Sequence, residues 1–293
     1  MLGDGKMELA VIDIGGTTIK FARWDGQALQ DRTAAPTPKT LAQFYGLLAN
    51  TVTKMKADHP LVGVAISSPG AVNQETGVIE GMSALPYIHN FPIKPELEKR
   101  FGLPLAFEND ANCAALAEVK SGAAKGKQRV AMLVLGTGVG GALIANGHVE
   151  HGAHLLGGEF GFMLQNGKGV SAQATVVERV KNYEKRTGKQ ITGEALFTAA
   201  TAGDRVAHEE VEGFFEALAE VIFNLQYSYD PEMFLLGGGV SRNPALIPGI
   251  ERHMDGVFKK IEIATQRPVI KICQYTDAAN LIGAVVNYEQ HAE

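Results

Sequence analysis

Cysteine is scarce in this chain: Cys113 and Cys273 are the two among 293 residues. They stand far apart in sequence, so they form neither a disulfide framework nor a paired-thiolate metal motif. Tryptophan occurs once, and aromatic residues make up 7%. Long apolar runs are missing. Val130 to Leu135 is typical of the longest, against the roughly 20 residues that cross a bilayer. A basic excess is missing as well, since 27 Lys and Arg face 32 Asp and Glu for a net charge of −5. That balance disfavours binding to a phosphate backbone. Asp4, Lys6 and Glu8 stand where an export signal would stay apolar. These absences predict a reducing, cytoplasmic setting, with no membrane and no nucleic-acid partner.

What is present is a 45% apolar composition, enough for a packed core. At roughly 150 residues per domain the length suggests two domains. Glycine is in excess, 34 residues in all, and it is clustered. The first strand, Leu9 to Ile14, runs into Gly15-Gly16-Thr17-Thr18 and resumes as Ile19 to Trp24, with a turn at Asp25-Gly26. Ala42 to Met55 reads as a helix and Val62 to Ile66 as a strand closed by Ser67-Ser68-Pro69-Gly70. A turn-rich stretch to about Ile93 precedes a helix from Glu96 to Phe101. Leu105 to Phe107 is a strand that delivers Glu108-Asn109-Asp110 to an Ala-rich helix, Ala111 to Lys120.

A Gly-rich basic connector, Ser121 to Arg129, is the expected domain boundary. The pattern then restarts as strand Val130 to Leu135, glycine turn Gly136 to Gly141, and strand Ala142 to Ala145 before the hairpin signal Asn146-Gly147. Val211, Phe214, Phe215, Leu218, Val221, Ile222 and Leu225 mark an amphipathic, core-facing helix that Asp230-Pro231 stops. Met233 to Leu236 is a strand followed by Gly237-Gly238-Gly239, then a helix near Pro244 and a last helix from about Asn280 to Gln290. One domain is therefore expected over residues 1–120, completed by the helix of residues 280–293, and a second over residues 121–279.

Glycine turns let backbone N–H groups approach a phosphate closely, because no Cβ intervenes. Gly136, Gly138 and Gly141 satisfy the dinucleotide fingerprint, but a hairpin follows them where that fingerprint needs a helix. No G-x-x-x-x-G-K-[ST] is present. Two hairpin turns of this kind suggest a phosphate clamp, although each alone is also an ordinary tight hairpin. Asp13 interrupts an apolar strand, where an unpaired buried carboxylate would cost several kcal/mol, roughly. A hydrated Mg²⁺ beside phosphates would offset that, and so would hydrogen bonds from the turn to an exposed strand-end Asp. Asp110, at a strand-to-helix junction, reads equally as an N-cap or as a base whose ionised form the helix N-terminus favours. His148, His151 and His154 are three apart in an extended stretch, a spacing that does not put them on one face.

Asp13-Ile14-Gly15-Gly16-Thr17-Thr18, Glu108-Asn109-Asp110-Ala111, Leu135 to Gly141, Gly158-Glu159-Phe160-Gly161 and Gly237-Gly238-Gly239 together resemble the ROK family of sugar kinases, over nearly the whole chain and in order. The resemblance implies an actin-like ATPase (ribonuclease H-like) fold, with two α/β domains flanking a cleft for nucleotide and sugar. It implies ATP and Mg²⁺ as cofactors and Asp110 as catalytic base. Asp13 would act near Mg²⁺, through water or phosphates. Gly15, Gly16, Thr17 and Thr18, with Gly136, Thr137, Gly138 and Gly140, would be the two phosphate loops. Gly237, Gly238 and Gly239 would lie near adenosine. Pro69, Gly70, Ser83, Asn109, Asp110 and Glu159 would hold the sugar, and a homodimer is implied.

Departures from the family pattern bear on substrate. The usual Gly-Glu-x-Gly-His has Phe162 at its His position, and the Cys-rich zinc motif is replaced by Gly167 to Thr175, which holds no cysteine. Zinc is therefore not expected, and the second sugar-binding Glu is missing. Ser83-Ala84-Leu85-Pro86 stands where Asn-Leu-Pro is usual. These departures, together with Glu108 to Glu118 and Gly158 to Met163, most resemble the β-glucoside kinases of the family; a less polar C1 side of the pocket would admit an aglycone or second sugar. The expected reaction is phosphorylation of the 6-hydroxyl of a β-glucoside, with glucokinase or N-acetylmannosamine kinase activity as the alternative. A non-catalytic sugar-sensing regulator is the alternative from another class. The family's DNA-binding members carry a helix-turn-helix ahead of the kinase-like part, and the start of the first strand near Leu9 argues against one here.

Overall fold

The computed structural model describes residues 7 to 292, so Asp4 and Lys6 lie outside the described residues. In chain order the elements are β1 (Leu9–Ile14), β2 (Thr18–Trp24), β3 (Leu29–Pro36), α1 (Leu41–Asp58), β4 (Gly63–Ser68), β5 (Ala71–Asn73), β6 (Val78–Glu80), α2 (Ile93–Phe101), β7 (Leu105–Asn109) and α3 (Asp110–Ser121). There follow β8 (Arg129–Leu135), β9 (Val139–Ala145), β10 (His148–Val149), β11 (Leu164–Gln165), β12 (Lys168–Gly169), α4 (Val176–Thr187), α5 (Gly193–Thr201), α6 (Arg205–Tyr229), β13 (Met233–Gly237), α7 (Leu246–Lys260), β14 (Ile270–Ile272) and α8 (Ala279–Ala292). The chain divides into two compact units. One is Met1–Lys120 with Gly152–Leu156 and Tyr275–Glu293; the other is Ser121–His151 with Gly157–Gln274.

The first unit is built on a sheet of order β3-β2-β1-β4-β7. β1 and β2 are an antiparallel hairpin, whereas β1, β4 and β7 run parallel. Every residue of β1 and β4 is buried, as expected of strands covered on both faces. Alternation of side chains sends Ala10 and Ile12 to one face, where Phe44, Leu48 and Val52 of α1 and Leu97 and Phe101 of α2 pack. It sends Leu9 and Val11 to the other, against Cys113 of α3 and Leu281, Ala284 and Val285 of α8.

The second unit repeats the plan, with sheet order β10-β9-β8-β13-β14. β8 and β9 are the hairpin, and β8, β13 and β14 are parallel. The 25-residue α6 lays Phe214, Leu218, Val221, Ile222 and Leu225 on Ala131, Leu133, Phe234 and Leu236. Side-chain caps fix several helix starts: Thr40 accepts from Gln43 N, Thr175 from Glu178 N, and Asp204 from both Val206 N and Ala207 N.

The structure departs from the sequence reading in places with identifiable causes. β3 is missed because it is a largely exposed edge strand with little apolar content. α4 and α5 are missed because each buries a single residue fully. The second glycine turn is shorter than expected, since Gly140 and Gly141 already pair with Val134 and Leu133 inside β9. A 3-10 turn, Gly239–Arg242, stands between β13 and α7.

Candidate active site

Because β1, β4 and β7 are parallel, their carboxyl ends share one edge of the first sheet, where ligands of open α/β sheets bind. The register pairs Asp13 with Ser67, Ser67 with Glu108, and Ser68 with Asn109. Asp13 is buried. Its Oδ1 accepts hydrogen bonds from Ser67 Oγ at 2.9 Å and from Asn280 Nδ2 at 3.0 Å. Those partners come from β4 and α8, so the reading of an exposed strand-end Asp held by the turn does not hold. Oδ2 makes no hydrogen bond among the described residues.

Asp110 is the first residue of α3, but the capping is done by its neighbour. Asn109 Oδ1 accepts from Ala111 N at 2.9 Å and Asn112 N at 3.2 Å, while Asn109 Nδ2 donates to the Gly70 carbonyl at 3.0 Å. Asp110 Oδ1 accepts from Ala111 N at 2.8 Å. Burial pushes the Asp110 carboxyl above its ordinary value; the Ala111 hydrogen bond opposes this, and the charge of Asp13 adds to it. The expectation that the helix N-terminus would hold this group low is therefore corrected: desolvation outweighs the N–H contact.

No sequence signal assigns Glu108 a role. It is fully buried, and its Oε1 accepts from Asn109 N at 2.6 Å and Asn112 Nδ2 at 2.9 Å. Ser83 Oγ accepts from Leu85 N at 3.1 Å and lies 2.6 Å from Nε2 of the buried His89, a second residue that sequence reading passed over. Pro69 and Gly70 are part-buried in the turn after β4.

The first glycine turn is closed by Gly15 N donating to Thr18 O at 3.1 Å. Thr37 pins it: its N donates to Thr17 O at 3.0 Å and its Oγ1 to Gly15 O at 2.7 Å. A Cβ on Gly15 would stand 2.7 Å from Thr18 O, which explains glycine there. Gly16, Thr17 and Thr18 are exposed.

In the second unit, Gly136 N donates to Gly138 O at 3.0 Å, with Gly136 and Thr137 exposed at the tip. Gly237 ends β13. Gly238 has φ +90°, and a Cβ on it would stand 2.2 Å from Leu135 O, so that glycine lets the chain after β13 lie against the entry to the turn. A cavity of ≈ 1600 Å³ gathers Gly136, Thr137 and Gly239 with Phe197 of α5 and Asn243 and Arg252 beyond β13. No glycine motif marks the α5 wall, and sequence reading did not find it. Glu159 is exposed and precedes a 3-10 turn, Phe160–Phe162. Phe162, at the family's His position, is 79% exposed. Residues 167–175 form β12, a 3-10 turn at Val170–Ala172 and the cap of α4. Among the described residues no helix is long and apolar enough to cross a membrane.

The pattern of the ROK family matches residues 9–290. A β-glucoside kinase of Listeria monocytogenes is 31% identical over 97% of this chain and 98% of that protein. A glucokinase of Halalkalibacterium halodurans is 30% identical over 83% of this chain and 84% of its own. Among solved structures, a ROK family protein of Streptococcus pneumoniae in complex with sucrose superposes with a TM-score of 0.88 at 38% identity, covering 98% of this chain and 99% of that one. The mixed α/β architecture with two sheets is that of ROK sugar kinases, within the actin-like ATPase fold. With a family match spanning nearly every described residue, and relatives at this identity covering both chains almost end to end, the chain belongs to the ROK family.

Proposed function

We propose that this protein is an ATP-dependent sugar kinase that transfers the γ-phosphoryl group to the 6-hydroxyl of a β-glucoside. The observation that carries the reading is Asp110. It stands at the carboxyl edge of the parallel strands, Asn109 does the capping in its place, and burial makes it more basic than an ordinary carboxylate. A base of that kind takes the proton of an attacking hydroxyl more readily than a fully exposed Asp. Phosphoryl transfer otherwise depends on positioning and charge stabilisation. The first unit then carries the base and all the sugar ligands but Glu159, and the second carries Glu159 and the adenosine loop.

In this reading Asp110 accepts the proton of the 6-hydroxyl while Asn109, Ser83 and the Pro69-Gly70 turn orient the sugar, with Glu159 as a further sugar ligand. Gly15 N and Gly136 N close their turns, and the exposed tips, Gly16 and Thr17 in the first and Thr137 in the second, offer donors to phosphate oxygens; Gly237 to Gly239 border adenosine. The open Oδ2 of Asp13 suits an outer contact to a hydrated cation, since Ser67 and Asn280 already engage Oδ1. Mg²⁺ bound there with the phosphates would supply positive charge against the triphosphate. An ATP-dependent reaction accords with a cytoplasmic location.

The β-glucoside preference is supported by the similarity to the β-glucoside kinase of Listeria monocytogenes and by Phe162, an exposed apolar side chain at the position where the family resemblance leads one to expect a histidine. Coupled assays of ADP release on cellobiose, an aryl β-glucoside, glucose and N-acetylmannosamine test it. The expected order has the β-glucosides first by kcat/KM. Turnover of glucose or N-acetylmannosamine alone makes the protein a glucokinase or an N-acetylmannosamine kinase. Sugar binding without ADP release from any of them makes it a regulator.

A further inference from the structure

Each glycine turn is pinned by a hydroxyl residue from elsewhere in its own unit, and the two pins differ in one respect. Thr37 donates its Oγ1–H to the Gly15 carbonyl. Ser171, in the 3-10 turn that follows β12, does the reverse: its Oγ accepts from Val139 N at 3.0 Å. The Ser171 hydroxyl proton has no acceptor among the described residues, and the residue is part-buried, not sealed. It stands beside the second turn where Gly138 leads into β9. A Cβ on Gly138 would lie 3.2 Å from Ser171 Oγ, and a Cβ on Gly161 only 2.3 Å from it.

The surroundings of Ser171 are fixed. Thr175 Oγ1 donates to the Ser171 carbonyl at 2.9 Å, and Thr175 caps α4. Val176 and Val177, at the start of α4, line the same cavity as Gly136 and Thr137. The segment of residues 167–175 thus leads into the α4 start that lines this cavity and carries an uncommitted hydroxyl donor at its turn.

We propose that Ser171 is a nucleotide-phosphate ligand: it holds the second glycine turn through Val139 N–H and donates its own O–H to a phosphate oxygen beside Gly138. This rests on the nucleotide reading above. It adds a second side-chain hydroxyl, beside that of Thr137, to a loop whose remaining donors are backbone N–H groups. A hydroxyl donating to a charged oxygen makes one of the stronger kinds of hydrogen bond.

The test compares the wild type with Ser171→Ala by calorimetric titration with ATP, adenosine and inorganic tripolyphosphate, alongside steady-state KM values. Loss of a hydrogen bond to a charged group predicts a Kd for ATP and for tripolyphosphate about 10-fold higher or more. Adenosine affinity and the KM for sugar should stay unchanged. Ser171→Cys keeps an acceptor for Val139 N–H but is a poor donor. It should lose phosphate affinity as the alanine variant does, and it also controls for any loosening of the turn. Unchanged ATP affinity in either variant overturns the proposal. So does an equal loss for adenosine, which would make Ser171 a clasp for the cavity wall alone. A wild type that binds tripolyphosphate but not adenosine leaves the phosphate contact standing and removes the kinase reading; a wild type that binds neither removes both.

Discussion

Replacing Asp110 by Asn removes a charge while leaving the shape of the corner intact. Asn109 already accepts from Ala111 N and Asn112 N, so α3 keeps its cap, and the amide oxygen of Asn can still accept from Ala111 N. Loss of a general base lowers kcat by about 10²- to 10⁴-fold. The lower figure is about 2.7 kcal/mol of transition-state stabilisation at about 1.36 kcal/mol per decade. Sugar KM should change little, because hydrogen-bonding capacity at the site remains. Stability should move the other way. Burial raises the Asp110 carboxyl above its unfolded value, so the folded chain holds that proton more tightly than the unfolded chain. Stability then falls as pH rises from about 3.9, the ordinary Asp value, through the raised one. At pH 7 the charged Asp110 costs stability, and the Asn variant should melt higher than the wild type. That advantage should shrink as pH falls toward 4. In the wild type the acid limb of kcat/KM should lie above the ordinary carboxylate range. Coupled ADP assays over pH, with thermal melts on the same samples, check all of this. A variant retaining kcat within about 10-fold would refute the role of Asp110 as base, and a lower melting temperature at pH 7 would refute the desolvation argument.

Asp13→Ala leaves Ser67 Oγ and Asn280 Nδ2 without their acceptor. At about 1–3 kcal/mol for each group left unpaired, urea unfolding should show a loss of about 2–6 kcal/mol, together with a large fall in kcat. An unchanged midpoint would contradict the bonding seen at this carboxylate. Gly238→Ala forces a side chain onto φ +90° and a Cβ to 2.2 Å from Leu135 O. About 2–3 kcal/mol of strain should result, with a raised KM for ATP and an unaltered KM for sugar. Equal thermal stability would mean that the turn relaxes freely.

Much of the fold was legible because β1, β4, β8 and β13 are apolar runs ended by glycine or serine turns, and α6 carries a long periodic face. Those signals come from burial, and burial is greatest where the two sheets are covered. β3, α4 and α5 were not legible because they lie at the edge of a sheet or bury little. The local residues of the site, Asp13 and Asp110, stood out as charges at the ends of apolar strands. Their partners did not. Asn280 reaches Asp13 from α8, and Thr37 reaches Gly15 from beyond β3; no spacing rule connects positions that far apart. The direction of the Asp110 shift was also out of reach, since it depends on how deeply the corner is covered.

α8 completes the first sheet from the far end of the polypeptide, with Leu281, Ala284, Val285 and Tyr288 covering Leu9, Val11, Ala65 and Ala106. On a ribosome those early strands emerge long before the helix that shelters them. At roughly 5–20 residues per second they wait on the order of ten seconds or more. Throughout that interval α3 alone shelters that apolar sheet face, whereas the second unit draws α4 to α7 from within its own span. Nascent chains of this protein should therefore depend on chaperones until α8 has emerged, and premature termination before α8 should yield an aggregating fragment instead of a half-active one.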